Sequence, residues 1–313
     1  LQRLFEITPL AAGIDGVSGG RPAPRPVAGS KDSKLRVLQE HPDLARATPY
    51  ADLAHQAWVD PYSKLYAPPR DFYELRATQH RHVWHSDMPA GAAGQTAWGF
   101  APPGFDVNAR PLSANSPSIA PGPVFRTRYG RSHLVRIHND LPGTGGVDQV
   151  SALGFATPTL STHMHNSHSP SESDGGPLYY NYSGGFWDYH YPNLYAGINQ
   201  GYASPKEGVR GDYREALGSM WYHDHKLDFT SQNVYAGMFG VNVIYDEVDT
   251  GDETIAGTTG VRFPTQSRDT ASFPYEFDMP LVFHDRQFDL DGVDFFPLAC
   301  FDGAIGDTCT VNG

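Results

Sequence analysis

Basic residues are scarce in this chain. Only 23 Lys and Arg stand against 35 Asp and Glu, for a net charge of −12. Nucleic acid and anionic membrane surfaces both need clustered positive charge, so neither is an expected partner. Cysteine is scarcer still, with Cys300 and Cys309 alone in 313 residues, and no zinc-type Cys motif can be built from them. The loop between them is short enough for a local disulfide, which would imply an oxidising compartment. Two unpaired thiols are the other reading. No apolar run approaches the ~20 residues that a membrane helix needs. The five Met are not clustered, and neither an initiator Met nor a signal peptide opens the sequence, so Leu1 reads as the start of a processed or trimmed chain.

Turn formers are abundant: 33 Gly and 26 Pro sit in a chain that is 39% hydrophobic, enough for a real core. With few long helical stretches, the chain reads as all-β. Residues 1–69 open with a Gly/Pro/Ala-rich run and read as an extended arm, with room for a short helix or two over residues 36–60. Strand character begins at Asp71–Thr78 and recurs at Val124–Arg128. His133–His138 alternates polar and apolar residues, as a half-buried strand does, after a turn at Tyr129-Gly130-Arg131-Ser132. Residues 166–212 form a Gly/Ser/Tyr/Asn-rich stretch that reads as a long loop. Its aromatics either pack against the domain or line a path for a small molecule. Ser219–His225 and Val241–Asp246 are further strands. The expected organisation is a first domain over residues 70–247, a polar linker over 248–277, and the opening of a second domain at 278–313.

The chemistry lies in the histidines. Residues i and i+2 of a strand share a face. His163 and His165 therefore project together, as do His223 and His225, and two such strands side by side would converge four imidazoles on one edge of a barrel. Imidazole suits copper, zinc, iron and nickel alike, and the lack of a nearby Cys thiolate points away from an electron-transfer blue-copper centre. Spacing alone leaves both metal ligands and ordinary polar residues open. A third pair, His80-Arg81-His82, followed by His85, lies among basic and polar residues and reads as an exposed strand surface. Asn181-Tyr182-Ser183 matches a glycosylation sequon, a triplet that is common by chance.

Ser161-Thr162-His163-Met164-His165, Ser173-Asp174-Gly175, Trp221-Tyr222-His223-Asp224-His225 and Asn233-Val234-Tyr235-Ala236-Gly237-Met238-Phe239-Gly240 occur in that order. Together they resemble the two N-terminal copper motifs of the multicopper oxidases, nearest to the bacterial spore-coat laccase and bilirubin oxidase branch. The likeness extends over about residues 70–313, through Pro121-Gly122-Pro123, Asn139-Asp140-Leu141-Pro142 and the final Gly306–Gly313 segment.

The resemblance implies cupredoxin-like Greek-key β-barrels and copper as cofactor. It implies an oxidase that couples one-electron oxidation of phenolic or aromatic substrates to four-electron reduction of dioxygen to water. Carried over by motif, His163 would bind the type 2 copper and His165 a type 3 copper, with His223 and His225 divided between the two type 3 coppers. Asp174 would help to supply protons; the alternative is an ordinary turn aspartate before Gly175. Asp224 points to the opposite strand face and reads as a support, not a ligand. The family's C-terminal His-Pro-X-His-X-His and His-Cys-His stretches are missing, so the type 1 copper is expected on another portion of the enzyme. That portion is the expected partner, as a separate chain or subunit, alongside a small aromatic substrate and dioxygen. An extracellular, cell-envelope or spore-surface location goes with this branch. Two alternatives stay open: a Mn or Cu(I) oxidase of the same fold, and a non-enzymatic copper-binding cupredoxin module.

Overall fold

Alternation along the strands decides the architecture. A computed structural model of the chain describes, with short gaps, residues 70–102, 120–143, 151–197, 211–264, 278–297 and 306–312, together with a two-stranded pairing at 17–18 and 21–22. The expected helix over 36–60 lies outside the described residues. In strand β1 (Asp71–His82), Tyr73, Leu75 and Ala77 point into a core. Trp98 and Phe100 of β2 (Gln95–Ala101) join them there. Strand β3 (Phe125–Arg128) contributes Phe125, and β4 (His133–Asn139) contributes Val135 and Ile137. From β5 (Thr162–His165) comes Met164, and from β6 (Phe186–Tyr191) come Trp187, Tyr189 and Tyr191. Strand β7 (Ser219–Asp224) adds Met220 and Tyr222, and β8 (Phe239–Tyr245) adds Ile244. A short helix α1 (Thr230–Tyr235) links these last two strands.

The strands form two four-stranded sheets, ordered β6-β4-β1-β2 and β3-β8-β7-β5, that enclose this common core. Each sheet is mixed, with one parallel pair, β1 with β4 and β3 with β8. This is the all-β, cupredoxin-like barrel. Strand β7 is a central strand of its sheet, and Gly240 on β8 makes room for it. A Cβ at Gly240 would fall 2.2 Å from the Tyr222 ring, whose hydroxyl donates to the Pro123 carbonyl at 2.6 Å. Beyond the barrel, β9 (Phe283–Arg286) pairs with β10 (Thr308–Val311). Tyr235 and Arg286 tie that hairpin to α1: the Arg286 guanidinium donates to the Tyr235 carbonyl and pairs with Asp294 at 2.6 Å.

Three expectations need correction. His80 and His82 are not on an exposed surface; they are 3% and 1% exposed. Strand β1 is paired on both sides, and on its outer face the His82 ring lies tilted against Trp84, with centroids 4.0 Å apart, and the Arg286 guanidinium lies over Trp84. Burial holds both imidazoles neutral, with His80 pushed down to about 3. Strand β4 is not half-buried. Only His138 of its seven residues escapes burial, because the polar face carries a buried Arg136–Asp188 pair at 2.7 Å. Residues 166–212 are not one loop, since they contain β6, all six residues of which are buried. Their aromatics Trp187, Tyr189 and Tyr191 pack the core, whereas Tyr179 is exposed. Asn181 is fully buried, so the sequon is closed to glycosylation in the folded chain.

Candidate metal centre

Strands β5 and β7 are antiparallel neighbours, and their pairing sets His223 opposite His163 and Trp221 opposite His165. Met164, Tyr222 and Asp224 face inward, so the histidines stand on the outer face of the sheet. The four imidazoles come together there. Ring centroids lie 5.5 Å apart for His163 and His165, 5.5 Å for His163 and His223, 5.0 Å for His163 and His225, and 5.6 Å for His223 and His225. His163, His165 and His223 each offer a ligand atom within 4.8 Å of the others. The ladder ends at Asp224, so His225 lies one residue past β7; its main-chain N–H donates to the Ser161 carbonyl at 2.6 Å.

The ring nitrogens are arranged for ligation. Nδ1–H of His163 donates to the Asp174 carbonyl, and Nδ1–H of His223 donates to the Asp224 carbonyl at 2.7 Å. Each bond fixes a tautomer and leaves Nε2 with a lone pair, the pattern of metal-bound histidine. Nδ1 of His165 faces Nε2 of His223 at 3.4 Å. Nδ1 of His225 is buried without a hydrogen-bond partner. Four imidazoles, one of them with a buried ring nitrogen that has no partner, fit a copper ion; imidazole is a good ligand for it.

Electrostatics agree with neutral ligands at two positions. Burial pushes His223 down to about 4, helped by the neighbouring imidazoles and opposed by its bond to Asp224. Burial also lowers His225. His163 moves up: burial opposes protonation there, but the hydrogen bonds and charge of Asp174 outweigh it. Asp174 therefore sits beside the cluster on the Nδ1 side of His163, with a carboxylate oxygen 3.4 Å from that nitrogen and the side chain about half exposed. Gly175 brings it there. At φ +72°, a Cβ on this residue would lie 2.1 Å from the Thr162 carbonyl oxygen, so only glycine lets the 171–175 turn press on β5. Asp224 is fully buried under the cluster, and burial pushes its carboxyl up to about 7. The main-chain N–H groups of Ser161 and Lys226 and the Asn233 carboxamide donate to it, which favours its charged form.

Two contributors escape sequence reasoning. Trp221 stacks on His223 at 4.0 Å and on His165 at 5.2 Å, at interplanar angles of 25° and 26°. Its i−2 spacing from His223 is the signal that places it on the ligand face. Asn233, fully buried, reaches Asp224 from α1; it opens the last of the motifs quoted above, but the motif alone gives it no role. Cys309 is exposed, with a free thiol, and Cys300 lies outside the described residues. Beside the cluster, an apolar groove of about 720 Å³ runs from Asn166 and Trp221 past Phe239 and Val241 to Leu281 and Phe283.

No protein-family model matches the chain. Curated relatives do. A laccase of Bacillus subtilis is 24% identical over 245 residues, covering 74% of this chain and 36% of the relative. A bilirubin oxidase of Albifimbria verrucaria is 24% identical over 195 residues, covering 62% and 25%. A laccase of Haloferax volcanii is 25% identical over 251 residues, covering 78% and 36%. The chain thus spans about a third or less of the length of these relatives. Among solved structures, a multicopper oxidase of Aquifex aeolicus aligns with a TM-score of 0.50 at 18% identity, over 79% of this chain and 39% of that one, a likeness of fold.

Proposed function

We infer that this chain, related to the multicopper oxidases along most of its length, supplies four histidine ligands to a copper cluster in a laccase-like oxidase. The observation that carries the reading is the convergence of His163, His165, His223 and His225 on one outer sheet face, with Nε2 of His163 and His223 freed by bonds at Nδ1. Bound there, copper would supply the four-electron reduction of dioxygen to water, with a phenolic or aromatic donor giving electrons one at a time elsewhere in the enzyme.

The chain's own residues do the rest. The Asp174 and Asp224 carbonyls orient two ligand rings and make them more basic. The Asp174 carboxylate is exposed enough to exchange protons with solvent, and its contact with His163 puts a proton carrier at the edge of the cluster. Trp221 holds two rings by stacking and screens them from the groove side. Because the donors face outward, the remaining portion of the enzyme would close over them, bringing the other ligands and the type 1 copper; the neighbouring apolar groove suits such a docking.

The test is to load the protein, together with that remaining portion, with copper and to measure dioxygen uptake with a phenolic donor. Four-electron consumption that is abolished by His163→Ala and His223→Ala is expected. Copper content and oxygen uptake unchanged in those variants would overturn the reading.

A further inference from the structure

His225 poses a structural problem that its three neighbours do not. The β5–β7 ladder holds His163, His165 and His223, but its last pair is Thr162 with Asp224. His225 comes after it. One main-chain bond, from the His225 N–H to the Ser161 carbonyl, continues past it; what fixes the segment around that bond, and so keeps this ring among the others, is side-chain bonding beneath the sheet. The Asp224 carboxylate accepts the Ser161 N–H at 3.0 Å on one oxygen and the Lys226 N–H at 3.1 Å on the other. These bonds clasp the residues on both sides of His225 to the segment leading into β5. The carboxylate is in turn fixed by Asn233, whose Nδ2 donates to it at 3.0 Å. The same amide also donates to the Thr159 carbonyl at 3.3 Å, while its Oδ1 accepts the Thr157 N–H at 3.0 Å. One fully buried side chain thus binds the approach to the first histidine pair, the carboxylate inside the second pair, and helix α1.

We propose that Asn233 is a positioning residue for the copper cluster, setting His225 against the other three ligands through Asp224. It touches no ligand ring. It acts because a carboxamide presents donor and acceptor at once, so it can hold an anionic carboxylate and a main-chain N–H on opposite sides. Aspartate in its place would keep the acceptor for Thr157 and lose both donors. This inference rests on the reading of the four histidines as copper ligands.

The experiment titrates the metal-free chain with Cu(II) against a competing chelator, counting bound nitrogens by EPR, for the wild type, Asn233→Asp, Asn233→Ala and His225→Ala. Copper affinity should fall about tenfold or more in both Asn233 variants, as loss of ligand-supporting partners does. Their spectra should lose one nitrogen, as His225→Ala does. Asp188→Asn, which weakens a buried ion pair in the other sheet, should lower the melting temperature and leave the copper spectrum as in the wild type. Wild-type affinity and spectrum in Asn233→Asp would overturn the proposal, as would an equal loss of copper in Asp188→Asn. If the Asn233 variants do not fold, amide exchange in the wild-type chain decides. Slow exchange at Ser161 and Lys226 without metal supports the clasp; unprotected amides there overturn it. Copper binding that is indifferent to His163→Ala would instead remove the ligand reading itself, and this proposal with it.

Discussion

Replacing Gly175 with alanine tests whether the turn after the first histidine pair must press directly on β5. Two costs are separable. The first is backbone: at φ +72° an L-residue pays roughly 1 kcal/mol relative to glycine. The second is contact. The new methyl would sit 2.1 Å from the Thr162 carbonyl oxygen and 2.6 Å from the His163 nitrogen, both main-chain atoms that cannot rotate away. Restoring normal separation needs a shift of about 1 Å in the turn or in the strand, a forced overpacking of about 1–3 kcal/mol. Gly184 supplies the control. Its φ is +85°, yet a Cβ there would meet nothing within 4 Å, so Gly184→Ala carries the first cost alone. At ~2–4 °C per kcal/mol for a domain of this size, Gly184→Ala should lower the melting temperature by roughly 3 °C and Gly175→Ala by roughly 8 °C. The displaced turn also carries the carbonyl that orients His163, so only Gly175→Ala should weaken copper binding. Calorimetry on the metal-free chain and chelator competition on the loaded one measure the two effects. Equal melting shifts, or unaltered copper affinity in Gly175→Ala, would refute the argument.

His133 predicts an acid sensitivity. Its ring is buried among Tyr73, Phe125 and Tyr191, and burial pushes it down to about 3. The unfolded chain therefore binds the extra proton first, and stability falls as the pH drops from about 6.5 towards 3. His133→Phe should flatten that slope in urea denaturation at stepped pH; an unchanged slope would contradict the burial argument. Trp221→Leu removes the stack on His165 and His223 while keeping an apolar side chain, and should lower copper affinity about tenfold in chelator competition, whereas undiminished affinity would make the stack incidental.

The sequence made the ligand pairs legible because a strand's period of two is its strictest rule: the spacing of His163 with His165 and of His223 with His225 predicts a shared face, and the β5–β7 pairing provides it. The same rule failed at His80 and His82. Shared orientation says nothing about what covers the face, and Arg286, distant in sequence, lies over the nearby Trp84 and closes that side of β1 with it. Strand β6 was hidden by its Gly- and Asn-rich flanks, although Trp187, Tyr189 and Tyr191 alternate within it. The polar residues of β4 suggested solvent, because the sequence cannot announce that Arg136 will meet Asp188 across the sheet. The role of Asn233 was illegible for a similar reason, since it depends on Asp224 and on Thr157 and Thr159 arriving from two other segments.

Alternation on β5 and β7 has an evolutionary consequence. Met164 and Tyr222 fill the interior while His163 and His223 stand on the reverse side, so hydrophobic stability and metal chemistry occupy alternate positions in the same few residues. Side chains on the two faces of a strand point to different surroundings. A lineage can therefore discard its imidazoles without endangering the barrel, and a barrel that has lost them keeps the scaffold on which they can be regained.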